Sequence, residues 1–247
     1  VKGGRFAQHC APAKVFSIVL SDIIGDPLDM IASGPAYPDA STAEQALAIV
    51  KKYALHLSDE ALSCLEAPTP NHLSNVKTHI TGSVRALCAA AQDAAQKLGF
   101  QCRMLTDCLD CEAREAGRFL ASIARSHQQT ERPLAFFAGG ETVVHLTGQG
   151  LGGRNQELAL AAAPGLRGTQ NTAVCSFGSD GTDGPTDAAG GFVDQSSDTA
   201  LRAAGLDVPQ VLAENDAYHA LQKIGGLLMT GPTGTNVNDL AMVLIWR

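Results

Sequence analysis

The pattern of hydrophobic and polar positions alternates between strand and helix along most of the chain. Apolar runs at 76–81, 100–105 and 134–138 predict strands, and helical periodicity predicts helices over 83–98 and 111–126 between them. Strands that alternate with helices of this size favour a mainly parallel sheet covered on both faces. The sequence therefore predicts an α/β fold, layered α/β/α, from residue 74 onward.

The first 73 residues carry a smaller set of elements. Residues 14–20 are apolar at nearly every position, which is typical of a strand buried on both faces of a parallel sheet. Helices are expected over about 41–53 and 58–65, and the Pro-Thr-Pro-Asn sequence at 68–71 interrupts regular structure. We therefore expect a remnant of a second α/β domain here. The two predicted domains are 1–73 and 74–247.

Residues 134–175 contain three further elements. The stretch 134–147, interrupted by Gly139 and Gly140, predicts two strands joined by a turn. A helix over 155–163 is expected to end at Pro164, because proline removes a helix hydrogen bond and clashes with the preceding turn. A short apolar run at 173–175 then leads into a loop rich in glycine and aspartate.

That loop, S-F-G-S-D-G-T-D-G-P-T-D-A-A-G-G, carries three carboxylates, Asp180, Asp183 and Asp187. Loops that follow the strands of α/β units are where such sheets bind ligands. A solvated turn with aspartates that cap helices is the alternative. Two loops of similar character follow other strands, at Asp22–Asp26 and at Thr233–Asn236.

Composition restricts the class of protein. The 247 residues are 45% hydrophobic and 17% charged, which is typical of a globular protein, and the net charge of −7 argues against a nucleic-acid partner. No apolar run reaches the roughly 18 residues of a membrane span. Seven cysteines, an odd count, argue against a disulfide framework and favour a reducing cytoplasm. Because the chain begins at Val1 without methionine, we expect a fragment.

A rival interpretation comes from Gly148, Gly150 and Gly153, which match the dinucleotide fingerprint G-x-G-x-x-G. It suggests an NAD(P)-dependent reductase. The preceding stretch mixes polar with apolar residues, unlike the buried first strand of a Rossmann unit. No acidic residue clearly ends a second strand about 20 residues further on, where the ribose contact is expected.

Arg154 lies at the first turn of the predicted helix. A cation there opposes the helix dipole, so its position is better explained if it binds an anion together with the free amides of that turn. An exposed loop arginine is the alternative. Cys108 and Cys111 form a lone C-x-x-C, which without a second pair is a weak indication of a metal or redox site.

Seven motifs, in order along the chain, resemble the ATP-dependent glycerate 2-kinases. They are V-K-G-G-R-F-A, L-S-D-I-I-G-D-P-L-D-M-I-A-S-G-P, L-D-C-E-A-R-E-A-G-R-F, G-G-E-T-V-V-H, G-G-R-N-Q-E-L-A-L, S-D-G-T-D-G-P-T-D-A-A-G-G and T-G-P-T-G-T-N-V-N-D-L. The later motifs resemble the region called the MOFRL domain, and related proteins are often named hydroxypyruvate reductases.

The resemblance implies two α/β domains with the active site in the cleft between them. It implies ATP and Mg²⁺ as cofactors and D-glycerate as substrate, giving 2-phosphoglycerate and ADP. Members of the family are longer at the amino end, so residues 1–73 would be the carboxy-terminal remnant of the amino-terminal glycerate kinase domain. A reductase and a ligand-binding fragment without turnover remain the alternatives, and a homodimer is left open.

Resemblance and chemistry together suggest the site. Arg154 would contact the glycerate carboxylate or the transferring phosphoryl group, Asp180 and Asp183 would bind Mg²⁺ or orient the attacking hydroxyl, and Asp22 would support the cleft. We expect Arg154, Asp180 and Thr235 to approach one pocket. The expected substrate-binding and nucleotide-binding residues are Gly139, Gly140, Glu141, Asn155, Glu157, Asp187, Thr233, Gly234, Thr235 and Asn236.

Overall fold

The structure, a computed structural model, describes residues 1–247 and divides into two compact units. The first unit comprises residues 1–19 and 26–81, and the second comprises residues 20–25 and 82–247. The sequence placed the division between 73 and 74. The difference arises because the strand that follows residue 75 pairs with the strand at Val15–Leu20 and so stays with the first unit.

The first unit contains three α-helices, one 3-10 helix and the two paired strands. Its elements are α1 (Arg5–Cys10), β1 (Val15–Leu20), a 3-10 helix (Ile31–Ser33), α2 (Ala43–Lys52), α3 (Asp59–Glu66) and β2 (Val76–Gly82). The two helices predicted over 41–53 and 58–65 are therefore present.

Strand β1 forms, but the prediction that both of its faces are buried is wrong. Its side chains alternate in exposure: Phe16 is 69% and Ile18 is 75% exposed, whereas Val19 is buried. The strand has β2 as its one neighbour in a two-stranded sheet. A continuous apolar run identifies a strand but does not reveal how many layers cover it.

The second unit contains six strands and six helices. They are α4 (Val84–Lys97), β3 (Gln101–Leu109), α5 (Ala113–Ser126), β4 (Leu134–Gly140), α6 (Arg154–Leu166), β5 (Thr172–Gly178), β6 (Gly190–Asp194), α7 (Ser197–Ala203), α8 (Val208–Ala213), α9 (Ala217–Ile224), β7 (Leu227–Leu228) and β8 (Asp239–Ile245). None of the helices of either unit has the length and apolar character needed to cross a membrane.

The sheet of the second unit is mixed, in the order β3-β4-β8-β5-β6-β7. Only β3 and β4 pair in parallel; the other neighbours are antiparallel. The α/β class is confirmed, but a mainly parallel sheet is wrong. Two strands run in the opposite direction to the others: β8, the last strand, inserts between β4 and β5, and β6 lies between β5 and β7.

Helices cover both faces of this sheet, which confirms the α/β/α layering. Phe137 of β4 packs with Val84 and Cys88 of α4, whereas its neighbour Phe136 belongs to the cluster formed with α5 and α6, including Leu158. Alternation along the strand sends successive side chains to opposite layers. Each buried phenylalanine side chain contributes about 1.5–3 kcal/mol through the area it removes from water.

The structure differs from two further predictions, one about the end of α6 and one about a strand before it. Pro164 does not end α6, which continues to Leu166. A proline this close to the carboxyl end removes few helix hydrogen bonds. The second strand predicted within 134–147 is absent: beyond β4, only Val143 makes a bridge, to Glu112.

The register of the sheet gathers three chain segments at one edge. Gly140 and Gly178, the last residues of β4 and β5, both lie opposite Asp239, the first residue of β8. The carboxyl ends of two parallel strands and the amino end of the strand between them therefore meet at a single point.

Candidate active site

Asp239 and Arg154 form a bidentate ion pair at this edge. Arg154 Nε donates to Asp239 Oδ2 at 2.5 Å, and its NH2 donates to Oδ1 at 3.1 Å. Its NH1 lies 2.8 Å from Glu141 Oε1. Burial by itself lowers the pKa of Arg154, but Asp239, Glu141 and Asp183 outweigh that effect and raise it above its ordinary value. The guanidinium is therefore a permanent cation beside three carboxylates.

Asp183 caps the amino end of α6. Its carboxylate accepts the backbone N–H of Asn155 at 3.1 Å and of Gln156 at 2.8 Å, together with Asn155 Nδ2 at 3.2 Å. Burial raises the pKa of Asp183, although these hydrogen bonds act in the opposite direction. Two of the amides expected to hold an anion beside Arg154 are thus already occupied by the protein's own carboxylate.

The side chains next to Arg154 on α6 lie in a buried polar network. Ser176 Oγ donates to Asn155 Oδ1 at 2.5 Å. Gln156 Nε2 donates to Asp183 O at 3.2 Å and to Thr186 Oγ1 at 2.9 Å. This network joins α6 to β5 and to the aspartate loop, so it fixes the position from which the arginine extends.

Glu157, also a predicted site residue, takes part in a buried ion pair. It is 2% exposed, and its Oε1 lies 2.8 Å from NH2 of Arg114 on α5. Asn215 Nδ2 donates to its Oε2 at 3.1 Å. Breaking such a pair leaves an uncompensated buried charge, so Glu157 has a structural role beneath the site.

A cavity of about 570 Å³ opens beside Arg154 and is lined entirely by the second unit. Val143, Val144 and Leu146 supply apolar surface on its wall. Among the predicted site residues, Glu141, Arg154, Glu157 and Asp183 line it. The cavity therefore combines an apolar wall with one strongly held cation.

The three glycines of the G-x-G-x-x-G match, Gly148, Gly150 and Gly153, line this cavity. A Cβ at Gly148 would lie 2.3 Å from Glu214 Cα, and one at Gly153 would lie 2.3 Å from Asp183 Cγ. Asn215 Oδ1 accepts the amide of Gly148 at 2.9 Å. These glycines allow close chain packing, and no strand leads into them, unlike the Rossmann arrangement.

The loops that carry Asp180 and Thr233 contact each other. Thr233 N donates to Asp180 O at 3.0 Å, and Thr233 Oγ1 donates to Ser179 O at 2.6 Å. A Cβ at Gly178 would lie 3.0 Å from Asp180 Oδ1 and 3.5 Å from Asp239 Oδ1. Asp180 thus lies at the same edge of the sheet as the ion pair of Arg154.

The expected convergence is therefore met in part. Arg154 and Asp180 share one edge of the sheet, and the Thr233–Asn236 loop lies against Asp180. The cavity, however, is lined by neither Asp180 nor Thr235. The segment 20–25, with the exposed Asp22, belongs to the second unit, and Leu20 and Val237 both pack near Gly82.

Three other predicted residues have identifiable contacts outside the cavity. A Cβ at Gly139 would lie 2.4 Å from Cys88 Sγ, and one at Gly140 would lie 2.3 Å from Leu109 O. Asp187 is exposed and accepts the Tyr218 hydroxyl at 2.8 Å, a hydrogen bond that raises the pKa of Tyr218. Gly139 and Gly140 thus serve close packing around the end of β4.

The described residues include no group of three or more His, Cys, Asp or Glu side chains arranged to hold a metal ion. Asp183 already accepts three N–H donors. Cys108 and Cys111 are exposed and form no disulfide.

Sequence reasoning missed Asp239. Its signal was present, because the T-G-P-T-G-T-N-V-N-D-L motif ends on Asp239 and Leu240 immediately before an apolar run. The sequence gives no sign that Asp239 pairs with Arg154, because that contact depends on the register of β8 with β4 and β5.

Comparisons with known proteins show the family to which the chain belongs. The MOFRL family matches residues 134–239, and a domain of unknown function, DUF4147, matches residues 1–66. The chain is 55% identical over 249 residues to the D-glycerate 2-kinase of Thermotoga maritima, covering 99% of this chain and 60% of that protein. It is 34% identical to a glycerate kinase of Macaca fascicularis, covering 99% of this chain and 76% of that protein.

A crystal structure of glycerate kinase from Thermotoga maritima matches with a TM-score of 0.94 at 55% identity, over 99% of this chain and 60% of that chain. The fold is therefore that of an α/β protein similar to this glycerate kinase structure. The chain belongs to the glycerate kinase family. It spans about 60% of the length of the Thermotoga maritima relative.

Proposed function

We propose that this chain carries part of the site of an ATP-dependent glycerate 2-kinase, which converts D-glycerate to 2-phosphoglycerate. The observation that supports it most directly is Arg154, a guanidinium held by a buried carboxylate at a cavity, in a chain of the glycerate kinase family. Phosphoryl transfer depends on positioning and charge neutralisation more than on covalent help from the protein. A fixed cation of this kind supplies both.

In this proposal the C2 hydroxyl oxygen of glycerate attacks the γ-phosphorus of ATP. A new P–O bond forms, the bond to ADP breaks and the hydroxyl proton is released. Arg154 binds the glycerate carboxylate or the transferring phosphoryl group. Asp239 does not contact the reacting atoms; it holds the guanidinium in place.

Magnesium is proposed at Asp180 rather than at Asp183. Mg²⁺ usually keeps several waters and binds one or two carboxylates together with substrate phosphates, so a group of three protein carboxylates is not required. Asp180 is half-buried at the edge of the sheet, whereas the Asp183 carboxylate already accepts three N–H donors. Bound there with the nucleotide, the ion would neutralise phosphate charge.

A hydroxypyruvate reductase is less well supported. It rests on the G-x-G-x-x-G match, and the geometry of Gly148, Gly150 and Gly153 serves packing against Glu214, Asp216 and Asp183. We also propose that the protein acts in the cytoplasm, which the lack of a disulfide among its seven cysteines supports.

The test incubates the chain with γ-labelled ATP, Mg²⁺ and D-glycerate, and identifies the product with enolase, which uses 2-phosphoglycerate. We expect labelled 2-phosphoglycerate. NADH is followed in parallel with hydroxypyruvate. NADH oxidation without phosphoglycerate would favour the reductase, and no product from either reaction would contradict the proposed kinase activity of this chain.

A further inference from the structure

Arg154 has two acidic partners that differ in burial and in geometry. Asp239 is 9% exposed in its side chain and receives two hydrogen bonds, from Nε and NH2. Glu141 is 44% exposed in its side chain and makes one contact, with NH1 at 2.8 Å. Arg154 therefore binds the buried Asp239 carboxylate through Nε and NH2, and the solvent-exposed Glu141 carboxylate through NH1.

This difference decides which partner an incoming anion can replace. Removing one partner of a buried ion pair leaves a buried charge without compensation, which is strongly unfavourable. An exposed pair contributes little, because water solvates both charges after they separate. A ligand can therefore displace Glu141 from NH1 much more readily than it can displace Asp239.

Glu141 is also placed so that its side chain can leave without disturbing the fold. Its backbone N–H donates to Leu109 O at 2.9 Å, which fixes the main chain at the end of β4. The side chain extends from that point to Arg154, and both residues line the cavity. If the Glu141 carboxylate moves away, NH1 of Arg154 can donate a hydrogen bond to a ligand in the cavity.

We propose that the Glu141 carboxylate is a place-holder for a ligand oxyanion. It occupies NH1 of Arg154 when the cavity is empty and is displaced when the carboxylate of glycerate or a phosphate group of the nucleotide binds. This inference rests on the proposed function for the identity of the ligand. It assigns Glu141 to competition with the ligand and Asp239 to positioning of the arginine.

The test measures binding of D-glycerate and of ADP separately, by isothermal titration calorimetry on the whole chain and its variants. Glu141→Gln keeps the size of the side chain and removes its negative charge. We expect it to tighten binding of one of the two ligands by up to about fivefold, which equals about 1 kcal/mol at about 1.4 kcal/mol per tenfold change. The ligand whose affinity changes is the one that meets NH1.

A matched control is Glu115→Gln, which removes an exposed ion pair of α5 with Arg118 at 2.7 Å, where both side chains are 55% exposed. We expect this control to leave both affinities unchanged. The effect of Glu141→Gln should also disappear when Arg154 is replaced by Ala, because the gain depends on the freed NH1.

Weaker or unchanged binding of both ligands by Glu141→Gln would overturn the place-holder role, as would binding of neither ligand by parent and variant alike. Turnover is not used as a readout here, so the two proposals can fail separately. A chain that shows the expected affinities without forming phosphoglycerate would contradict the proposed function and leave the role of Glu141 supported.

Discussion

Arg154 and Asp239 are 85 residues apart in sequence, yet Arg154 Nε and Asp239 Oδ2 lie 2.5 Å apart. The pair joins the first residue of α6 to the first residue of β8, the strand that separates β4 from β5. An arginine at the start of a helix opposes the helix dipole. Here its charge is balanced by Asp239 and Glu141, while Asp183 satisfies the amides of the same helix end.

Replacement of Arg154 tests the proposed function most directly. We expect Arg154→Ala to lower kcat by about 10² or more, because lost donors to developing charge cost that much in other enzymes. Arg154→Lys should also be poor, since an ammonium cannot reproduce the bidentate contact with Asp239. Phosphoglycerate formation is the measurement, and circular dichroism verifies the fold. A variant that keeps its activity within about threefold of the parent would remove Arg154 from the site.

The hydrophobic pattern predicted most elements of the second unit, because helices and strands leave different periods in the sequence. It did not predict the direction of β8. Apolar residues such as Leu240 and Val243 indicate a buried strand but not its direction. The pairing of Asp239 with Gly140 and Gly178 in the structure shows that β8 is antiparallel to β4 and β5.

For the site, local sequence identified Arg154 and the aspartate loop but could not divide their roles. Asp183 and Asp180 differ by three positions within the same loop, yet one is buried under a helix end and the other stays half-buried at the edge of the sheet. That distinction depends on tertiary packing of Gly153 against Asp183, which no local pattern contains.

The capping role of Asp183 predicts a specific pH dependence. Burial raises its pKa in the folded state above the ordinary value of 3.8, so the folded protein binds this proton more tightly than the unfolded chain. The resulting stabilisation is full below the unfolded pKa and is lost as pH rises through the folded pKa. In Asp183→Asn this contribution is absent.

We therefore expect the free energy of unfolding of the parent, minus that of Asp183→Asn, to decrease as pH rises from 3.8 through the folded pKa. Urea unfolding at several pH values measures both proteins. At neutral pH the variant should still be the less stable, by about 1–3 kcal/mol, because an amide N–H₂ would face the amide of Gln156. A difference that increases with pH over this window would contradict the direction of the pKa shift.

The glycine segment gives a prediction that separates packing from dinucleotide binding. A Cβ at Gly148 would lie 2.3 Å from Glu214 Cα, whereas one at Gly152 would have 3.3 Å to its nearest neighbour, Ala217. We expect Gly148→Ala to lower the free energy of unfolding by about 1–3 kcal/mol, as overpacking does, and Gly152→Ala to cost less. Urea unfolding compares the two variants.

NADH fluorescence titration should show no binding by the parent, and NADH binding that is lost in Gly148→Ala would restore the reductase interpretation.

Asp239 accepts two hydrogen bonds from Arg154, and we propose that it positions this guanidinium. Asp239→Asn keeps the shape of the side chain but replaces one acceptor oxygen by a donor. One of the two hydrogen bonds from the Arg154 guanidinium therefore loses its acceptor. We expect kcat/KM for glycerate to fall about tenfold or more, because a misplaced guanidinium loses contacts made in the transition state. Asp239→Glu, which restores the charge, should recover part of kcat/KM.

A double-mutant cycle with Arg154→Ala distinguishes positioning from general destabilisation. If Asp239 acts through Arg154, Asp239→Asn should have almost no further effect on kcat/KM once Arg154 is absent, so the two changes are strongly non-additive. Effects that simply add, with no recovery in Asp239→Glu, would show that Asp239 supports the fold rather than the arginine. Urea unfolding of each variant gives the stability change for comparison, because an ion pair this buried affects both properties.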